Sequence, residues 1–278
     1  MVSKVVAGIV VVIVIVVGGA AVYVLTRPPE AYELFYDYQV GEYYIYEMTT
    51  TTTMDDTPME NISSTHSMKV IAVEDNEITV GYTSTVENIG PPSYEFTIEN
   101  AEVAMMVTMT NKGEMISWEI GSVVPSEYWD NVELYENSQM VWSQLLQTIY
   151  AFPEEQVSIC QEWEKSVEEE IPWGPGMYMT LTGEGSAHLV GQEDVTVEAG
   201  TFDCLRIDYD TSVSGELVYD NQMFTINITL EGTGWYSKKN CAEIRSTRSM
   251  VMSTEADNYY RSEYLSETVS ELIEYVTV

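Results

Sequence analysis

Residues 224–231 read Phe-Thr-Ile-Asn-Ile-Thr-Leu-Glu, a strict alternation of apolar and polar side chains. Successive side chains of a β-strand point to opposite faces, so this period of two predicts a strand with one buried and one wet face. The same alternation runs through residues 78–83 and 94–99. Burial of one face is typical of antiparallel sheets. The 20 tyrosines and the many threonines are also residue types that favour strands.

Short polar clusters lie between the alternating stretches. Asp, Asn, Gly and Pro favour turns, so these clusters predict hairpin connections. They are Asp55-Asp56-Thr57-Pro58, Asp75-Asn76, Asn111-Lys112-Gly113 and Asp220-Asn221. We therefore expect a mainly β fold, built as a large antiparallel curved sheet or a half-open barrel.

One stretch breaks the alternation. Within residues 138–151, Val141, Leu145 and Ile149 recur at helical spacing, and Phe152-Pro153 would end the helix. This predicts a crossover helix within segment 124–152. It would join two halves, 40–123 and 153–278, whose openings Val40-Gly41-Glu42-Tyr43-Tyr44 and Ile159-Cys160-Gln161-Glu162-Trp163 look alike. A chance similarity of the halves is the open alternative.

Residues 5–25 carry no charged side chain. About 20 apolar residues span the hydrocarbon core of a bilayer, and lipid favours a helix because every backbone group must bond internally. Lys4 precedes the run and favours an N-terminus inside. The sequence thus predicts a cytoplasmic tail (1–4), a transmembrane helix (5–25), a linker (26–39) and an extracytoplasmic β domain (40–278). The alternative is a signal peptide cleaved near Gly19-Ala20-Ala21.

The charge is strongly negative. The chain has 45 acidic and 11 basic residues. All the acids and nine of the bases follow Arg27, which gives that part a net charge of −36. Such a surface repels phosphate backbones, so nucleic acid is excluded as a partner. It attracts cations and basic proteins, so we expect partners among basic envelope proteins, copies of this chain or cations.

Two kinds of covalent site are predicted. Cys204 and Cys241 lie in segments expected to be strands of one sheet, and an exterior location permits a disulfide between them, with Cys160 left free. Asn61 and Asn227 begin N-x-Ser/Thr sequons, and the alternation places Asn227 on the wet face, as glycosylation requires.

The segment Val197-Glu198-Ala199-Gly200-Thr201-Phe202, followed by Trp235-Tyr236-Ser237, resembles a pattern of uncharacterised prokaryotic envelope proteins and lipoproteins. That resemblance covers residues 152–278. It implies a shape similar to lipoprotein-carrier folds, which are half-open β-barrels with helices over an apolar cavity. Cys160 stands where the pattern usually has glycine, and the pattern's motifs are structural.

Motifs for catalysis are missing from the sequence. It contains no G-x-S-x-G, H-E-x-x-H, phosphate loop or C-x-x-C, and only two histidines, His66 and His188, which we interpret as solvated strand residues. Met177-Tyr178-Met179 and Met250-Val251-Met252 each place two thioethers on one strand face, for which ordinary core, an apolar cavity and copper binding are the alternatives. We expect no catalytic residue, cofactor or specific metal site.

These observations predict a non-enzymatic, membrane-anchored, extracytoplasmic domain that serves as a binding or assembly component of the cell envelope. The alternative is a carrier or sensor of an apolar, lipid-like ligand held in a cavity of the sheet. A carbohydrate-active enzyme is a weaker third hypothesis, because such an enzyme needs two carboxylates about 5–10 Å apart in a cleft.

Overall fold

The computed structural model describes residues 30–55, 57–86, 101–122, 151–174, 177–219, 222–256 and 260–277. The predicted tail and transmembrane helix lie outside these ranges, as do residues 94–99 and all but the end of segment 124–152. Every regular element in the described ranges is a β-strand. Accordingly, those ranges contain no helix with the length and hydrophobicity of a membrane span.

The strands are long and mostly joined by tight turns. In chain order they are β1 (Ala31–Tyr32), β2 (Tyr43–Met54), β3 (Thr57–Glu74), β4 (Glu77–Val86), β5 (Ala101–Thr110), β6 (Met115–Ser122), β7 (Val157–Ser158), β8 (Glu162–Gly174), β9 (Met177–Val197), β10 (Gly200–Tyr219), β11 (Gln222–Ser237), β12 (Glu243–Ala256) and β13 (Tyr260–Val276).

Eleven strands form one antiparallel sheet in the order β6-β5-β4-β3-β2-β13-β12-β11-β10-β9-β8. The sheet consists of two meanders, β2–β6 and β8–β13, joined where the first long strand pairs with the last. Strands β6 and β8 are the two edges, so the sheet is unclosed in the described part of the chain. The expectation of a large, mainly antiparallel β fold is confirmed.

The predicted alternation corresponds to the observed burial. Ile228 and Leu230 on β11 are buried, whereas Asn227 and Thr229, which alternate with them, are exposed. Ile78 and Val80 on β4 are likewise buried. At about 25 cal/mol per Å² of buried apolar surface, each such side chain contributes roughly 1.5–3 kcal/mol.

The sheet is so strongly curled that its two edges meet at one end. Lys165 on the edge strand β8 places its Nζ 2.9 Å from Oε1 of Glu114, which lies in the turn between β5 and β6 at the other edge. One face of the sheet is therefore concave, and side chains from strands far apart in the sheet order face one another across it.

A strap formed by residues 31–42 crosses this end of the sheet. Leu34 on the strap is completely buried, and its carbonyl accepts a 2.8 Å hydrogen bond from Nζ of the buried Lys112. The backbone N–H of Tyr36 donates to the carbonyl of Asn111. Residues 31–39, assigned to the linker from the sequence, thus pack as part of the β domain, because Leu34 and the strap tyrosines supply the apolar surface that covers the end of the sheet.

Candidate functional site

An ion pair lies on the concave face. Arg248 on β12 donates from Nη2 to Oε2 of Glu243 at 3.0 Å and from Nε to the hydroxyl of Tyr209 at 3.2 Å. Ser246 donates to the other carboxylate oxygen of Glu243 at 2.8 Å. The Arg248 side chain is 44% exposed and that of Glu243 is 21% exposed, so the pair faces an open space.

Strand geometry places both charges on this face. Ser246, Arg248 and Met250 alternate along β12, so all three point to the same side. A bulge between β11 and β12 sets Glu243 directly opposite Tyr236. Bulges redirect side chains, and this one places the Glu243 carboxylate on the same face of the sheet as Arg248.

Five tyrosines surround the pair, and together we name them the tyrosine floor: Tyr36, Tyr46, Tyr82, Tyr209 and Tyr236. Burial, with Glu243 as a further cause, raises the pKa of every one above its usual value, and raises that of Tyr82 to about 12. The phenols are therefore protonated at neutral pH and available as uncharged hydrogen-bonding groups. They come from the strap and from strands β2, β4, β10 and β11, which the curl brings together.

Two glycines allow tyrosine rings to lie flat on β11. A Cβ atom at Gly232 would be 2.5 Å from the Tyr209 ring, and one at Gly234 would be 2.5 Å from the Tyr236 ring. Gly232 pairs with Tyr209 on one side and with Arg248 on the other. The sequence Gly232-Thr233-Gly234-Trp235-Tyr236 thus makes room for the ring of Tyr209, whose hydroxyl contacts Arg248, and for the ring of Tyr236.

Beyond the tyrosine floor, toward the end of the sheet that lies away from the strap, the concave face carries methionines and small side chains. Met48 follows Tyr46 along β2 on the same face and pairs with Ser64 and Ser270. Met250 follows Arg248 along β12 and packs against an apolar cluster around Leu230. Met252 follows on the same face. Methionine adapts its shape to different apolar partners, so this part of the face is an adaptable apolar surface.

His66 also lies on the concave face and is not the solvated residue expected from the sequence. It is directly opposite Tyr46, is half-buried and shares a 2.7 Å hydrogen bond with Ser64 Oγ. Burial, followed by the nearby charge of Arg248, lowers the pKa of His66 below its usual 6.5. His188 lies on the opposite face, paired with Asp208.

The opposite face carries an acidic groove of about 720 Å³ that crosses β9–β13. Asp210, Glu231 and Glu267 line it and are exposed. Asp208 is neutralised by Arg206 at 3.1 Å and accepts a hydrogen bond from Thr233. Among the described residues, no group of three or more His, Cys, Asp or Glu side chains is arranged to hold a metal ion.

The structure does not bring the predicted cysteine pair together. Cys204 packs in the apolar cluster around Tyr44 and Leu272, whereas Cys241 packs in the cluster around Leu34. Both are buried free thiols, and Cys160 is an exposed free thiol.

The structure agrees with the expected geometry of the second sequon, because Asn227 and Thr229 are exposed on one strand face. Asn61 lies in β3 and its side chain is outside the described set. Glycosylation at either asparagine stays a prediction.

Sequence patterns did not identify the Glu243–Arg248 pair or the tyrosine floor. One usable signal was present: Arg248 occupies the inward register of β12, in phase with Met250 and Met252, where a strand normally places an apolar side chain. The position of Glu243 depends on a bulge, which alternation alone does not indicate.

No protein-family model matches the sequence, and no curated protein matches it. Among solved structures, the chain is similar to a Parabacteroides distasonis protein regarded as a lipoprotein (14% identity, 88% of this chain and 100% of that chain, TM-score 0.35). It is similar also to a Bacteroides fragilis protein, regarded as exported, with a YmcC-like fold (13% identity, 88% and 99%, TM-score 0.32). The third is the hypothetical lipoprotein YmcC of Escherichia coli (8% identity, 84% and 86%, TM-score 0.29). These scores are too low to carry a functional conclusion, so the role of this chain is inferred from its own residues.

Proposed function

We propose that this chain is a non-enzymatic binding component of the cell envelope, tethered to the membrane by residues 5–25, whose concave face holds a ligand over the tyrosine floor. The observation that carries the proposal is the inward, 44% exposed Arg248. A paired charge inside a sheet adds little stability compared with apolar side chains of the same volume. Local violations of core packing are expected at functional sites, so the pair marks the face as a binding surface.

Photoaffinity labelling tests the concave face. The full chain in lipid nanodiscs would be irradiated with a probe that has a dodecyl chain carrying a diazirine and a maltoside head, and the labelled peptides would be identified by mass spectrometry. We expect labelling of peptides that contain Met48 and Met250, and competition by unlabelled dodecyl maltoside.

Two adjacent residues of β13 give a matched pair of variants. Thr268 points to the concave face beside Arg248, whereas Val269 points to the acidic groove and is 40% exposed. Thr268→Trp should abolish labelling of the concave face, and Val269→Trp should leave it unchanged. Equal labelling of both variants, or labelling confined to residues 5–25, would refute the proposal.

The membrane topology has its own test. Protease added to intact cells should remove residues 40–278, and alkaline carbonate should leave the chain in the membrane fraction. Protection of the β domain alongside an equally protected cytoplasmic control would contradict the extracytoplasmic location.

A basic envelope protein is the second candidate ligand, and the exposed carboxylates of the acidic groove favour it. Charge-reversed Glu231→Lys and Glu267→Lys chains should lose cross-links to such a partner in intact membranes. Cross-linking that yields only monomer in the unmodified chain would count against this candidate.

A further inference from the structure

Positive charge on the concave face is matched by negative charge. Among the described residues of this face, the two basic side chains, Arg248 and Lys165, each contact a carboxylate, at 3.0 Å from Glu243 and 2.9 Å from Glu114. Burial keeps His66 neutral at physiological pH. The surrounding domain has a large negative charge, which repels anions. An anionic head group would therefore find no unpaired cation among the described residues of this face, and a cationic head group would meet Arg248.

Two polar atoms on the same face lack partners. Thr211 Oγ1 and Trp163 Nε1 are buried and form no hydrogen bond with any described residue. Thr211, only 1% exposed, lies on β10 next to Tyr209 on the concave side. Trp163 on β8 pairs with Ala187, which in turn pairs with Tyr209. Buried polar groups in folded proteins are nearly always hydrogen-bonded, so each of these two atoms, which lie on β10 and β8 with β9 between them, is a candidate to bind an oxygen of a ligand.

Apolar side chains adjoin these two atoms. Leu230 is the direct cross-strand neighbour of Thr211, and Met250 is the next residue in that row. Both lie on the concave face, beside the tyrosine floor. A ligand whose head-group oxygens reach Thr211 and Trp163 would place a hydrocarbon portion against Leu230 and Met250.

We propose that the ligand is an uncharged amphiphile, with head-group oxygens bound by the Thr211 hydroxyl and by the Trp163 indole N–H and a hydrocarbon portion packed on Met250 and Leu230. This assignment rests on the proposed function. It specifies the chemistry of the ligand: a hydroxyl- or carbonyl-bearing head without net charge.

Three photoprobes with the same diazirine-bearing dodecyl chain test the charge assignment. Their heads are a maltoside, a carboxylate and a trimethylammonium group, and 0.5 M salt screens attraction to the acidic exterior. With the full chain in nanodiscs, we expect the maltoside probe to label the concave peptides about tenfold more than either charged probe. Preferential labelling by a charged probe, or equal labelling by all three, would overturn the assignment while leaving the binding surface intact. Absence of labelling by every probe would instead refute the proposed function.

Single substitutions test the roles of Thr211 Oγ1 and Trp163 Nε1. Thr211→Val keeps the side-chain shape and removes the hydroxyl, and Trp163→Phe removes the indole N–H. Each should raise the half-saturating concentration of the maltoside probe about three- to tenfold, whereas Ser212→Ala, adjacent to Thr211 on the opposite face, should not change it. The ligand-free Thr211→Val chain should unfold at the same or a higher urea concentration, since it loses an unsatisfied buried hydroxyl. Unchanged probe affinity in both variants would show that these atoms do not bind the ligand.

Discussion

At the scale of single residues, the site depends on two positions of β11, Gly232 and Gly234, that have no side chain. Gly232 permits the Tyr209 ring to lie against the strand, and the Tyr209 hydroxyl accepts a hydrogen bond from Arg248. A methyl group at this position would displace a ring that is almost completely buried. Overpacking of this kind typically costs about 1–3 kcal/mol.

We therefore predict that Gly232→Ala lowers the free energy of unfolding by about 1–3 kcal/mol, measured by urea denaturation. Gly191 on β9 is the matched control, because a Cβ atom there would meet nothing within 4 Å. Gly191→Ala should be neutral or slightly stabilising. Equal effects of the two substitutions would mean that the contact with Tyr209 is not the reason why position 232 requires glycine.

The cysteines allow a second prediction at this scale. Burial raises the pKa of Cys204 to about 12 and that of Cys241 to about 11. Alkylation requires the thiolate, so at pH 8 iodoacetamide should modify only the exposed Cys160 in the folded chain. After unfolding without reductant, mass mapping should find all three cysteines alkylated. A Cys204–Cys241 disulfide, the pairing expected from the sequence, would instead leave that pair unmodified.

His66 gives a pH dependence with a definite sign. Its pKa is lowered in the folded chain, so the unfolded chain binds the proton more readily. The contribution of neutral His66 to the free energy of unfolding should be fully present above pH 6.5. It should decrease as the pH falls from 6.5 through the pKa of His66 in the folded chain. His66→Gln should remove this part of the pH dependence of the free energy of unfolding, measured by urea titrations at pH 5–8. His188→Gln, on the opposite face, is the control. An unchanged slope in His66→Gln would show that His66 is not the group responsible.

At the scale of elements, the strap depends on a buried cation. Lys112 lies in the turn between β5 and β6, and its Nζ donates to the carbonyl of Leu34. Lys112→Met retains apolar length but leaves that carbonyl unsatisfied, which costs about 1–3 kcal/mol. We expect faster proteolytic cleavage within residues 31–42 than in the unmodified chain. Lys69→Met, at an exposed position of β3, should not change the cleavage rate.

The strands could be predicted from the sequence because alternation and turn residues are local signals. Asp75-Asn76 and Asn111-Lys112-Gly113 do form the turns that follow β3 and β5. The site could not be predicted in the same way. Arg248 meets Glu243 through a bulge, and Tyr82 approaches both only because the sheet curls. Curl and bulge are properties of many strands together, so no short stretch of sequence specifies them.

At the scale of the whole molecule, the curl of the sheet gives it one concave face. The strap and the Lys165–Glu114 contact hold one end together, and the proposed binding surface begins immediately beyond the tyrosine floor. Because the strap directly follows the predicted membrane anchor, the covered end should lie nearest the bilayer. A ligand would then enter from the opposite end.

The net charge of −36 beyond Arg27 predicts the response of the whole domain to salt. Only five ion pairs occur among the described residues, far fewer than the 45 acidic residues of the chain, so repulsion between carboxylates should dominate. The Debye length falls from about 30 Å at 0.01 M salt to about 8 Å at 0.15 M, which screens that repulsion. The urea midpoint of unfolding at pH 7, followed by tryptophan fluorescence, should therefore rise with NaCl and level off by about 0.5 M. KCl at the same ionic strength should give the same curve, and CaCl2 should match it if screening alone is responsible. A midpoint that falls with added salt would mean that ion pairs outweigh repulsion, and a much larger effect of calcium would indicate a specific cation site.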